Sequence, residues 1–275
     1  LPWGESWRRV YTFNEAHLPG VPRYHLSIGC NHCQDAPCEK ACPARAFVRE
    51  TGTGILTLDP DRCMGCRYCS WVCPYEAPVF GGKAGVMSKC TFCPERLDRG
   101  QEPACVEACP TDALGTDRIP PPLESDVAGF PKTTAEPSLE FRALRHGADA
   151  PETTWQLDPA LLEDFESSRL VRKPVGSLSH EWPLLVFTLA APLLVAMSTS
   201  AAFGYPLLRL PLAAAAFVAA LISMQHLGRK SRAWRAVLGF RTSWLSREIV
   251  LYGAFAALCA LRVCLGWWAP PGSWW

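Results

Sequence analysis

Twelve of the chain's fourteen cysteines fall between Cys30 and Cys109, in three runs that share one pattern. The first is Cys30-x2-Cys33-x4-Cys38-x3-Cys42-Pro43, the second Cys63-x2-Cys66-x2-Cys69-x3-Cys73-Pro74, and the third Cys90-x2-Cys93-x11-Cys105-x3-Cys109-Pro110. Three closely spaced thiolates can cap three corners of an iron-sulfur cubane from one loop, while a fourth, set on a following turn ended by proline, points to a neighbouring cluster. The spacing therefore predicts crossed ligation. Cys30, Cys33 and Cys38 hold one [4Fe-4S] cluster with Cys73, and Cys63, Cys66 and Cys69 hold another with Cys42, giving two complete clusters. Motifs of this type work in pairs, so Cys90, Cys93, Cys105 and Cys109 lack an exchange partner, and a fourth motif is expected to be missing.

Two other uses of cysteine are weaker. A disulfide scaffold suits short secreted proteins rather than 275 residues with thiols at two- and three-residue gaps. Paired C-x2-C units also make tetrahedral zinc sites, but zinc leaves the extra cysteine and the repeated Cys-Pro ending of each motif unexplained. A zinc-binding, non-redox membrane protein is the alternative from another class.

The chain divides in two. Residues 1–118 are polar and broken by Gly and Pro, and the threefold motif suggests duplicated small units with little regular structure. Gly52 and Gly54 before Ile55-Leu56-Thr57-Leu58 predict a short hairpin beside a cluster loop. Residues 119–180 hold eight prolines and no cysteine, a linker or docking strap with one short helix opened by Asp158 and Pro159. Residues 181–275 hold three apolar runs, about 182–202, 210–227 and 249–268, each near the ~20 residues that cross a bilayer. Trp182, Trp267 and Trp268 mark their ends. The expected fold class is α+β: a duplicated bacterial-ferredoxin-like 4Fe-4S domain followed by a transmembrane α-helical anchor.

A formal net charge of +1 points to no nucleic-acid partner. No phosphate-binding Gly-rich loop, flavin fingerprint or nucleophile triad is present, so catalysis is expected on a partner. The chain starts at Leu1 with no signal peptide in view.

Ser27-Ile28-Gly29-Cys30-Asn31-His32-Cys33, Cys63-Met64-Gly65-Cys66-Arg67-Tyr68-Cys69 and the third motif resemble the iron-sulfur subunit of the dimethyl sulfoxide reductase family over residues 5–118. His180-Glu181-Trp182-Pro183-Leu184, His226-Leu227-Gly228, Arg232-Ala233-Trp234 and Leu245-Ser246-Arg247-Glu248-Ile249 are similar to the membrane anchor of the same family, usually a separate polypeptide with more helices. The resemblance implies a fusion cut short at both ends. It implies four [4Fe-4S] clusters once an upstream motif is restored, with Cys90, Cys93 and Cys105 on one terminal cluster and Cys109 on another. On their own, these four cysteines could close a single cluster.

The resemblance also implies a molybdopterin-containing catalytic partner, quinol or menaquinol as redox partner, and a place in the bacterial inner membrane. The direction of flow stays open, since a formate or sulfur-compound dehydrogenase would run it in reverse. His226 is the candidate quinol-binding residue, being an ionisable group at the end of the second span; a helix-end histidine that caps carbonyls is the plain alternative. Two crossings return the chain to its starting side, which sets the loop 228–247, with six basic residues, beside the cluster domain. That basic bias puts the cluster domain in the cytoplasm, with the periplasmic face kept open because family partners are exported folded. Arg262 is expected to snorkel to the far interface, and Cys259 and Cys264 to be buried hydrophobes.

Overall fold

The computed structural model describes residues 6–13, 24–117, 130–131, 133–141, 178–204 and 209–268. Its cysteine-rich half is three two-stranded antiparallel ribbons and four one-turn helices in chain order: β1 (Arg9–Phe13), β2 (Tyr24–Ile28), α1 (Pro37–Ala41), β3 (Phe47–Arg49), β4 (Leu56–Leu58), α2 (Tyr68–Val72), β5 (Val79–Gly81), β6 (Val86–Ser88), α3 (Pro94–Leu97) and α4 (Ala104–Glu107). The expected hairpin is β3–β4, with Phe47 opposite Leu58 and Arg49 opposite Leu56. Gly52 and Gly54 take φ of +114° and +73° in its turn, a region L side chains avoid.

Such short elements bury little on their own. Their core is the space between them, where five of the nineteen buried residues are cysteines: Cys33, Cys38, Cys42, Cys63 and Cys69. Residues 133–141 belong to this core as well. Ala135 is buried, Gln34 N–H donates to Glu136 O (2.8 Å), and Ser138 N–H donates to Asn31 O (3.0 Å). Phe130 stacks on Tyr75 and meets Phe141 edge-on. This stretch of the Pro-rich segment is docked, while the helix expected at Asp158 lies outside the described residues.

The second half is helical: α5 (Leu178–Gly204), α6 (Arg209–Ser223) and α7 (Trp244–Trp268), with 3-10 turns at Met224–His226 and Lys230–Val237 between the last two. Each expected apolar run is a helix, and α7 begins five residues before its predicted start. Among the described residues, only Trp244–Leu265 is by itself long and apolar enough to cross a membrane; 182–197 is shorter, and 210–226 reaches that length only with the segment 230–237, bent from it by 108°. Small residues let the helices close on one another, Ala216 being fully buried and Tyr252 donating its hydroxyl to Ala216 O (3.0 Å). Many of their large apolar side chains point outward, Leu189 and Leu251 being 75% and 68% exposed, while Leu194 and Leu212 are buried with Ala216 and Ala219. Cys264 is exposed and Cys259 half-exposed, which corrects the expectation that both are buried: Cys259 follows Phe255 and Ala256 at the edge of the face packed on the helical core, and Cys264 lies outside that core.

Candidate functional site

Each cysteine motif is built by the same local conformation. The residue two places after the first cysteine has positive φ in all three: His32 (44°), Gly65 (71°) and Phe92 (65°). The residue three places after the Cys-Pro cysteine repeats this, with Arg45 at 48°, Glu76 at 50° and Asp112 at 52°. Non-glycine residues take such angles at a cost of about 1–3 kcal/mol each, and persist there where function needs the turn. These turns aim backbone N–H groups at sulfur. Gly65 N–H donates to Cys63 Sγ (3.4 Å) and Phe92 N–H to Cys90 Sγ (3.4 Å), while Ala46 and Ala113 N–H donate to Cys42 Sγ and Cys109 Sγ (3.3 Å each). The third cysteine of each motif sits within a one-turn helix and the fourth just beyond it, so the fourth thiol leaves its own loop.

That departure brings motifs one and two together in crossed fashion. One cavity is lined by Cys30, Cys33, Cys38 and Cys73, and a second by Cys42, Cys63, Cys66 and Cys69. Burial pushes the Cys33 and Cys66 thiols up to about 12; the charge of Cys73 adds to the effect on Cys33, and that of Cys42 to the effect on Cys66. Cys38 and Cys69 are raised further by the same causes, burial first. Such thiols keep their protons at neutral pH unless a strongly cationic group displaces them.

The donor set fits an iron-sulfur cluster. Four sulfurs line each cavity, yet among the described residues no three His, Cys, Asp or Glu side chains close on one metal-ion position. Around a single zinc at ~2.3 Å they would have to. Asn31 Nδ2 and the Tyr75 hydroxyl, buried beside one another at the first cavity, make no hydrogen bond of normal geometry. Buried donors normally have acceptors, and cluster sulfurs would supply them. The third motif is more open: all four of its thiols are partly exposed, Cys90 lies near Cys105 and Cys30, and Cys109 is lowered to about 7 by its contacts with Thr111 and Ala113.

The helical half touches this site directly. The 228–243 stretch lies across the second cavity, with Arg229 N–H donating to Met64 O (3.0 Å), Gly239 N–H to Pro43 O (2.9 Å) and Ser243 Oγ to Ala41 O (2.8 Å). Arg232 donates to the carbonyls of Pro60 (2.6 Å) and Cys63 (3.0 Å). Backbones meet closely here: a Cβ on Gly228 would stand 2.1 Å from Gly85 O, and one on Gly239 would stand 2.9 Å from Cys42 O.

The sequence matches two family models, the 4Fe-4S dicluster domain over residues 22–118 and the DMSO reductase anchor subunit over residues 207–267. It is 32% identical over 223 residues to a putative dimethyl sulfoxide reductase iron-sulfur subunit of Halobacterium salinarum, covering 66% of this chain and 83% of that one. The protein belongs to the dimethyl sulfoxide reductase iron-sulfur subunit family. An anchor-type segment follows its cluster domain in the same polypeptide.

Two further relatives match through the cluster half. A sulfite dehydrogenase subunit of Allochromatium vinosum is 38% identical over 134 residues (46% of this chain, 56% of that one), and an anaerobic dimethyl sulfoxide reductase subunit of Escherichia coli is 42% identical over 117 (40% and 57%). The match thus spans little more than half the length of these two relatives.

His226 lies at the foot of α6, half-buried, with Nδ1 against Ser223 O and the Arg67 guanidinium nearby. Sequence reading singled it out but missed what surrounds it. Arg67, itself part of the second cysteine motif, is set over the Phe80 ring at 3.9 Å with its Nε buried and unpartnered, and its charge reaches His226 of the anchor. The glycines of 228–239 and Ser243 carried a faint signal in the basic loop, but nothing in their spacing says which backbone they meet.

Proposed function

We propose that this protein is the electron-transfer and membrane-anchor subunit of a respiratory molybdopterin oxidoreductase, relaying electrons between the quinol pool and a catalytic partner of the dimethyl sulfoxide reductase type. Cys30, Cys33, Cys38 and Cys73 hold one [4Fe-4S] cluster; Cys63, Cys66, Cys69 and Cys42 hold a second. Cys90, Cys93, Cys105 and Cys109 serve further clusters completed by an upstream motif. When bound, such clusters carry one electron at a time over a range of potentials set by charge, hydrogen bonds and exposure. The protein's share is to supply thiolates, aim N–H groups at them and keep water out. In this reading the three helices cross the membrane, and the loop 228–247 and the cluster domain share the cytoplasmic face.

The observation that supports this best is the seating of the anchor loop on the second cavity. A quinol oxidised at the membrane face gives up two protons with its two electrons, and needs an acceptor where lipid offers none. With Nδ1–H donated to Ser223 O, His226 presents Nε2 as a free lone pair. Similarity to a sulfite dehydrogenase subunit favours one second reading, the same relay run toward quinone.

In the full complex, His226→Ala should leave the visible iron-sulfur spectrum intact and slow cluster reduction by a menaquinol analogue at least tenfold. Unslowed reduction would return His226 to a carbonyl-capping role. A purified protein that carries zinc and no dithionite-bleachable colour would overturn the relay itself.

A further inference from the structure

The two four-thiol cavities differ in one charged group. Every residue lining the second is apolar or cysteine: Phe47, Leu58, Met64 and Met87 stand among its four thiols, with Pro43, Ala44 and Ala46 completing the wall. The first is lined also by Lys89, which is 3% exposed. Lys89 Nζ donates to Leu56 O, at the hairpin strand β4, and to Cys90 O (3.0 Å), at the start of the third motif. Among the described residues it has no carboxylate partner. The other cation near this site, Arg49, is already paired with Glu39 (2.6 Å).

A buried ammonium held only by two carbonyls is costly unless an anion lies close by. Four thiolates around four irons form such an anion, since their charge exceeds that of the cubane core they bind. Adding an electron makes it more negative, so a fixed cation on the cavity wall favours the reduced form, and charge near a cluster is one of the determinants of its potential. The same side chain ties the wall of the first cavity to the third motif, where His32 meets Phe92 edge-on at 5.3 Å.

We propose that Lys89 is the built-in countercharge of the site formed by Cys30, Cys33, Cys38 and Cys73, raising the reduction potential of that site alone and bracing it against the third motif. It is a positioning and tuning residue, remote from substrate. The proposal rests on the cluster reading above, and the test separates the two.

The full complex is titrated anaerobically and each paramagnetic centre followed, with Cys38→Ser and Cys69→Ser used to assign the centres to the first and second cavities. If wild-type protein gives no [4Fe-4S] signals, the functional reading fails. If it does, Lys89→Met should change the oxidised-to-reduced ratio of the first-cavity centre at least tenfold toward oxidised at a fixed potential, equivalent to a fall of about 59 mV for a one-electron couple. The second-cavity centre should stay within threefold of wild type. Unchanged ratios, or equal shifts at both centres, overturn the proposal. Should Lys89→Met and Lys89→Gln both lose iron from the first cavity, Lys89→Arg decides: restored iron and signal support a required positive charge, and continued loss overturns it.

Discussion

The two halves of this chain solve opposite problems of burial. In the cysteine half the apolar and thiol groups turn inward, around elements of three to five residues that could not hold a core by themselves. In the helical half only a small core of Leu194, Leu212, Ala216 and Ala219 turns inward, and many large apolar side chains turn outward. The first arrangement is stable in water only when something fills and charges the centre. The second is stable where the surroundings are as apolar as leucine. What joins them is a loop whose N–H groups, guanidinium and hydroxyl meet backbone carbonyls of the first two cysteine motifs, while Leu227 and Ala236 enter the cysteine-side core. The interface therefore combines fixed hydrogen bonds and close backbone approach with apolar packing.

Removing the iron should break the comparison most visibly. Anaerobic chelation or oxidative loss of the clusters should abolish the thermal transition and near-ultraviolet signal of residues 24–117, because folding of a small ligand-dependent domain draws on the binding energy of its cofactor. The helical circular dichroism of the anchor in detergent should persist. A single cooperative collapse of both halves would show that they are one folding unit.

One substitution made on each side should sharpen it. Leu56→Ala removes a side chain 1% exposed in the cluster core and should cost about 2–5 kcal/mol in denaturant unfolding. Leu251→Ala, at a residue 68% exposed on α7, should cost well under ~1 kcal/mol in lipid, where both side chains face apolar surroundings. Comparable losses would mean that α7 packs against protein on that face.

The joint itself is the target of the third test. Gly228→Val puts side-chain atoms where Gly85 O lies 2.1 Å from even a Cβ, and should weaken docking by about 1–3 kcal/mol. Hydrogen exchange at the Arg229 and Gly239 amides should then quicken about tenfold or more while the ribbons keep their protection. Unchanged exchange would show that the loop is held by α6 and α7 alone.

The chain's own spacing determined a good deal. Cysteines at fixed offsets, prolines after the last of each set and long uncharged runs are local facts, and they specify thiol-bearing loops, the turns that follow them and apolar helices without reference to distant residues. The crossing of Cys42 and Cys73 into each other's neighbourhoods was legible because a thiol one helical turn beyond its loop has to leave it. The positive φ at His32, Arg45, Glu76 and Phe92 was not, since those side chains give no hint of the turns that nearby thiols impose. Nor could sequence show that residues 133–141 dock over the first motif, that Gly228 and Gly239 press against Gly85 and Cys42, or that Lys89 lies buried on one cavity wall and not the other. Those depend on which backbones approach across long stretches of sequence, and a glycine or lysine looks the same in sequence whether it faces water or a carbonyl. Tertiary packing decided them, because close approach and buried charge are properties of the space between elements and not of any one element.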